Sequence, residues 1–245
     1  MHRRLDSSLV RFTEAFLNAH PGRVTNPAQY GTDSRRFLDL RTSVLYRFES
    51  LALHIDLIKR REHACMRELE KDIFRNDRIE VVRWASRDMK FLFDDIVFST
   101  ISLFDYLGNM IGFVLLKLPK KNLDWKGVIQ WVKSGAGPTS RTGPRSNELN
   151  DEWIAGVARY RHVLIHHTSD TSGGRLRHHI ADGHATLGVS ITVPAAFVKQ
   201  IEHLRQTVPD DGMAVLSAGL WIVGQTFDAA VELIGTLRTD LGLTT

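Results

Sequence analysis

Cysteine is almost missing from this chain: Cys65 is the only one in 245 residues. One thiol excludes an internal disulfide framework and any zinc or iron–sulfur site built on cysteines, and it fits a reducing compartment. Proline is scarce as well, and all 7 prolines fall where the helical pattern breaks. The basic start MHRRLDSSLVRF has no apolar run behind it, so no secretory leader is expected. Internal repeats and low-complexity tracts are absent. So are a phosphate-binding GxxxxGK[ST] loop, a nucleophile elbow and a helix-turn-helix pattern.

What is present is a globular composition. The chain is 43% hydrophobic and 24% charged, which excludes intrinsic disorder. Two stretches, Ile96–Leu118 and Met213–Gly235, are long and apolar enough to raise the membrane question. The first carries Asp105 near its middle and the second carries Asp228 and Glu232. A charge at a bilayer centre costs about 3 kcal/mol, so both read as buried helices of a soluble, cytoplasmic protein with no membrane partner. The net charge is +4 and unevenly spread: residues 1–90 and 120–180 are each +5, while 91–119 and 181–245 are −2 and −4. Two basic blocks make a polyanionic partner such as RNA plausible.

Hydrophobic steps of three and four predict helices along most of the chain. A short one covers Leu5–Ala19. A long one starts at Asp33 or Ser34 with a stripe through Phe37, Leu40, Val44, Phe48, Leu51, Ile55, Ile58, Met66, Leu69 and Ile73. Its length predicts a kink or break near Lys59–Glu62. Asn76–Asp77 marks a turn, and a second long helix runs from about Arg78 to Leu118. Residues 125–134 form a short helix, 135–146 a Gly/Pro loop, and 147–168 another helix. Leu187, Val189, Ile191 and Val193 alternate around an Asp182–Gly183 turn, predicting a β-hairpin over 173–193. Helices over 194–206 and 213–237 complete the chain, the last rich in small residues that let another helix approach. The expected fold is an all-α antiparallel helical bundle with one small β-hairpin insertion.

Arg161-His162-Val163-Leu164-Ile165-His166 lies late on the 147–168 helix, just before a loop. This Arg-x4-His arrangement, with a polar residue directly after the arginine, resembles the signature of the HEPN superfamily of helical-bundle domains. The resemblance covers roughly residues 80–170, and helix order extends it to about 35–235. It implies residues 1–75 as a helical segment packed on a HEPN-like bundle of residues 76–245, most simply one continuous domain. It also implies a homodimer whose two motifs face one cleft, and metal-independent RNA cleavage with no cofactor. Toxin–antitoxin or defence biology, with an antitoxin protein as partner, belongs to the same expectation. Some members have lost activity, so a catalytically silent binding or dimerisation module is the alternative.

The residue types suit the chemistry. A histidine can take the proton from a 2′-OH, and an arginine fork can stabilise charge on phosphoryl oxygens. By resemblance, His166 and Arg161 take these roles and His162 lines the cleft, giving a 2′,3′-cyclic phosphate and a 5′-hydroxyl. Five residues at 100° each place Arg161 and His166 about 140° apart on an ideal helix. A helix ending near Leu164, a curled arginine or a second subunit would have to reconcile them. The plain alternative is Arg161 paired with an acid on a neighbouring helix and both histidines on a solvated face.

Further candidates surround the motif. Asp95, Ser99, Ser102, Tyr106 and Asn109 step by four and three along one helix face, a polar seam that lines the cleft or bonds neighbouring helices. Arg141, Arg145 and Arg159 are candidate RNA-backbone contacts, the first two on the 135–146 loop. His162, His166, His167, His178, His179 and His184 are dense enough to raise a metal-dependent enzyme as a third reading, but no His-Glu-x-x-His spacing is present, and no metal site is expected. In HEPN toxins silenced by nucleotidyl transfer, a tyrosine stands two residues after the histidine. Thr168 stands there instead, so that mode of regulation is not implied.

Overall fold

The computed structural model describes residues 2–19, 35–71, 77–115, 123–135, 141–166, 175–181, 184–209 and 212–243. It is mostly helical. In order come α1 (His2–Ala19), α2 (Arg35–Lys71), α3 (Arg78–Leu115), α4 (Trp125–Lys133), α5 (Thr142–Leu149), a π-helical turn (Asn150–Ile154) and α6 (Ala155–His166). Strands β1 (Arg175–Ala181) and β2 (His184–Ser190) follow, then α7 (Ala195–Gln200), α8 (Glu202–Thr207) and α9 (Val215–Asp240). The strands pair antiparallel, with His178 opposite Leu187 and His179 opposite Thr186.

The chain groups into two compact units that interleave along the sequence. One comprises Met1–Ser50, Ser99–Ile154 and Gly224–Thr245, the other Leu51–Phe98 and Ala155–Val223.

The first unit is organised by aromatic rings. Phe12, Phe16, Phe37 and Phe113 form one cluster, with the Phe16 and Phe37 centroids 4.9 Å apart. Phe104 packs on Trp125 and Trp153 at 5.1 and 5.4 Å. Asp105 accepts from the Trp125 backbone N–H, and Trp125 Nε1 donates to Asn150. Gly108 permits this approach: a Cβ there would sit 2.9 Å from the backbone at Asp124 and Trp125.

The second unit centres on Phe93, Tyr160 and Phe197, where α3, α6 and α7 meet at centroid separations of 5.0 to 6.4 Å. A Cβ at Gly156 would lie 2.6 Å from the Gln200 carbonyl, and one at Gly219 2.7 Å from Ile55 Cδ1. Ile191 and Val193 are buried here, and the segment is tied to α9 by Val193 N–H to Met213 and Val215 N–H to Ile191.

Several expectations need correction. No break occurs at Lys59–Glu62: α2 runs unbroken for 37 residues, because nothing in that stretch disrupts a helix and its buried stripe continues through Ile58, Cys65 and Leu69. Met66 is only half-buried; Cys65 takes the core position instead. The 135–146 loop is helical from Thr142. Pro144 is tolerated in a first turn, and the Asp240 carboxylate accepts the Arg141 and Thr142 backbone N–H groups at 3.0 and 2.9 Å. The 194–206 helix is two helices, split at Ile201 with extended backbone (φ −118°, ψ 112°). α3 and α9 are indeed long and apolar enough to cross a membrane by length and composition, and 72% and 50% of their apolar windows are buried inside the protein.

The glycines of the first unit give a paired prediction. Gly108→Ala drives a methyl into backbone and is expected to cost about 1–3 kcal/mol. Gly235→Ala, with nothing within 4 Å, is expected to stabilise by about 0.5–1 kcal/mol through helix propensity. Urea unfolding midpoints of the two variants should move in opposite directions.

Candidate functional site

The Arg-x4-His pair lies in the last two turns of α6, within the second unit. The helix continues to His166, so it does not end near Leu164 and the ideal-helix angle of about 140° stands. Ala158, Arg159, His162 and Ile165 are exposed. In helical register, position 166 falls on this same arc, between 159 and 162, whereas position 161 sits at its far edge. In register, positions 162 and 166 thus share a helix face that position 161 does not.

Arg161 is half-buried. Its guanidinium carbon lies 5.4 Å from the centroid of the Phe98 ring on α3, a cation–π stack. Its Nε is buried without a hydrogen-bond partner, and among the described residues no carboxylate pairs with it. The simple alternative of a structural ion pair therefore has no support here. A guanidinium that is fixed by an aromatic face, with donors unspent, is chemically suited to an anion.

Phe98 stands one turn beyond two adjacent carboxylates, Asp94 and Asp95. Burial, together with the negative charge of Asp95, pushes the Asp94 carboxyl up to about 6, with Lys90 opposing. Asp95 meets His54 Nε2 of α2 at 3.6 Å, an ion pair when the imidazole is protonated; His54 is 17% exposed and Asp95 60%. The group so assembled is His54 from α2, Asp94, Asp95 and Phe98 from α3, and Arg161 from α6. Sequence reasoning missed His54 and Asp94. The Asp94–Asp95 doublet was a visible signal, but nothing along the chain showed that α2 would bring a histidine to it.

The remaining candidates are placed differently. Of the polar seam, only Asp95 belongs to the second unit. Ser99 is buried and lies 3.3 Å from the Ser50 hydroxyl of α2. Asn109 Nδ2 donates to the Asp105 carbonyl of its own helix, and Ser102 and Tyr106 are half-buried. These four sit in the first unit, where Ser99 and Asn109 make helix–helix and intrahelical bonds.

Arg145 is corrected more strongly. It sits on helix α5, not on a loop, and is held by Glu232 at 2.8 and 3.1 Å, Glu148 at 2.9 Å and Glu152 at 3.2 Å. Those carboxylates raise its pKa above the ordinary arginine range. With three acidic partners its charge is already satisfied. Arg141 is exposed and lends its backbone N–H to Asp240. Arg159 is exposed but donates to the Gln200 side chain and carbonyl.

His167 and the Asp182–Gly183 turn lie outside the described residues. His178, His179 and His184 are placed on β1 and β2. Among the described residues no group of three or more His, Cys, Asp or Glu is positioned to hold a metal.

No family model matches this chain, and no curated protein or solved structure matches it either.

The Asp94 shift carries a sign. A carboxyl whose folded pKa is raised favours folding below its unfolded pKa, and that contribution is lost as pH rises through about 6. Asp94→Asn removes this loss. Its melting temperature relative to wild type should rise from pH 4 to pH 7 and level off above. A difference that is flat across this range would show that Asp94 is not held in the protonated form.

Proposed function

We propose that the chain is a HEPN-like, metal-independent RNA endonuclease, working as a cytoplasmic homodimer. The finer fold reading goes with this: an antiparallel helical bundle in which the 175–190 hairpin is an added arm. The observation that supports it best is Arg161, a half-buried cation stacked on Phe98 with no carboxylate paired to it among the described residues. A toxin or defence role with an antitoxin partner is part of the same proposal.

In this reading His166 accepts the 2′-OH proton, and the 2′-oxygen attacks the adjacent phosphorus. Arg161 stabilises the charge that builds on the phosphoryl oxygens, and the proton held by His166 passes to the departing 5′-oxygen. The products are a 2′,3′-cyclic phosphate and a 5′-hydroxyl. Within one α6, positions 161 and 166 face about 140° apart. A two-fold axis near α6 would let Arg161 of one protomer serve with His166 of its partner. The competing reading is a silent binding module of the same architecture, favoured by the carboxylates of Asp94 and Asp95 close to where a phosphate would approach.

Wild-type protein should cleave RNA in EDTA. His166→Ala should lower the rate about 10²–10⁴-fold and Arg161→Ala about 10²–10³-fold, with melting temperatures close to wild type. Light scattering should give a dimer mass at micromolar concentration. An uncut substrate in EDTA, or Arg161→Ala that unfolds the chain, would transfer the reading to the silent module.

A further inference from the structure

Among the described residues, seven large hydrophobic side chains are exposed, and six of them, Leu53, Ile79, Trp84, Phe91, Ile165 and Leu220, belong to the second unit. Two are aromatic, both are on α3, and they fall into a series. Trp84, Phe91 and Phe98 are spaced by seven residues, which puts them on one helix face about 10 Å apart. Trp84 is 58% exposed and Phe91 62%, and Phe98 is half-buried.

Cations stack on both ends of the series. The Arg87 guanidinium lies 5.0 Å from the Trp84 ring centroid and that of Arg161 5.4 Å from Phe98. The stripe runs between two walls: α2, joined by Arg61–Asp88 at 2.9 Å and His54–Asp95 at 3.6 Å, and α6, joined by Tyr160 on Phe93 and by Arg161. At the Trp84 end a cavity of about 260 Å³ opens, its lining including Arg61, Cys65, Glu68, Glu80, Val81 and Trp84.

We infer that this face of α3 is a binding track for single-stranded RNA, with bases stacking on Trp84 and Phe91 and the strand leading to Phe98 and Arg161. Flat rings spaced along a line and interleaved with arginines are what a single strand uses: every base has a face to stack, and guanidinium groups serve both base and phosphate. Spacing of about 10 Å accommodates about three base steps at 3.4 Å. A rigid duplex hides its bases and cannot use these rings. A protein partner would want a broader apolar surface, but here Arg83, Arg87 and Lys90 interrupt it; Arg83 pairs with the exposed Glu80, and Arg87, besides stacking on Trp84, lies 3.6 Å from the half-buried Asp88. An exposed pair such as Arg83–Glu80 is worth little. The inference rests on the RNA reading for its substrate, but it concerns residues that reading does not use.

The test separates binding from cleavage. A fluorescein-labelled 2′-O-methyl oligouridine lacks the attacking hydroxyl, so fluorescence anisotropy reads affinity on the full-length chain without turnover. Trp84→Ala and Phe91→Ala should each weaken binding roughly 5- to 100-fold, and both side chains are exposed enough for the fold to survive. Tyr46→Ala is the matched control: Tyr46 is another exposed aromatic of α2 with an arginine, Arg47, 5.7 Å from its ring, but it lies outside the stripe and should leave affinity unchanged. A 2′-O-methyl duplex should bind more weakly than the single strand and be insensitive to both variants. Binding that these variants lower, in a chain that never cleaves unmodified RNA, would leave the track standing and remove the nuclease. Cleavage whose KM ignores both variants would do the reverse. Variants that leave affinity unchanged, or that instead turn a dimer into a monomer by light scattering, would overturn the track and assign the stripe to a second copy of this chain.

Discussion

Burial of α3 is the constraint on which the rest depends. From Ile96 to Val114 most residues are buried, with Phe98, Ser102, Asp105, Tyr106 and Asn109 half-buried along one face. A face this apolar is stable only when covered, and in the first unit α1 and α2 pack on it at Phe113 and α4 at Phe104. From Arg78 to Phe98 the same helix is amphipathic. Val82, Ala85, Met89 and Phe93 face the core of the second unit, while Arg83, Trp84, Arg87, Phe91 and Asp95 face outward. The change of character along one continuous helix decides where a functional surface can exist. It is at the end of the amphipathic half that Phe98 receives Arg161.

The enclosed half accounts for most of what was legible in the sequence. Steps of three and four through Phe37, Leu40, Val44, Phe48 and Leu51 reflect the 3.6-residue period directly, and the structure buries these side chains. Illegible features depended on residues far apart in the chain. Thr142 opens a helix because Asp240, 98 residues later, caps it; a Gly/Pro-rich stretch shows no trace of such a partner. The split at Ile201 coincides with two contacts distant in sequence: the Gln200 carbonyl accepts from Arg159, and Gly156 packs against it. The break expected in α2 is absent for the opposite reason. Length alone does not interrupt a helix: nothing between Ile55 and Leu69 breaks the hydrogen-bond ladder, and Arg60–Asp56 at 2.6 Å spans the spot.

The candidate site divides along the same line. Arg161 and Asp95 could be singled out from motif and periodicity, because a motif is local and a seam is periodic. His54 and Asp94 could not, because their significance is a matter of which helices meet. Arg145 shows how a basic residue misleads: its position suggested a phosphate contact, yet Glu148 and Glu152 are one and two turns away on the same helical path, and α9 adds Glu232. Positive charge in a sequence counts toward anion binding only after its neighbours have been subtracted.

That subtraction also explains why an aromatic partner matters for Arg161. A carboxylate would have held the guanidinium equally well but would have neutralised it and occupied its planar fork. Phe98 holds the same group through its ring face, at a modest energetic gain, and leaves the charge and the edge-on donors intact. Asp94 and Asp95 sit one turn from Phe98 on α3, and among the described residues neither pairs with that cation. Burial keeps Asp94 protonated up to about pH 6, and Asp95 has His54 at 3.6 Å on its other side. The two acids are thus partly occupied with their own environment. The net arrangement keeps an arginine in place without spending it, which is the electrostatic condition that any phosphate-binding role of Arg161 requires.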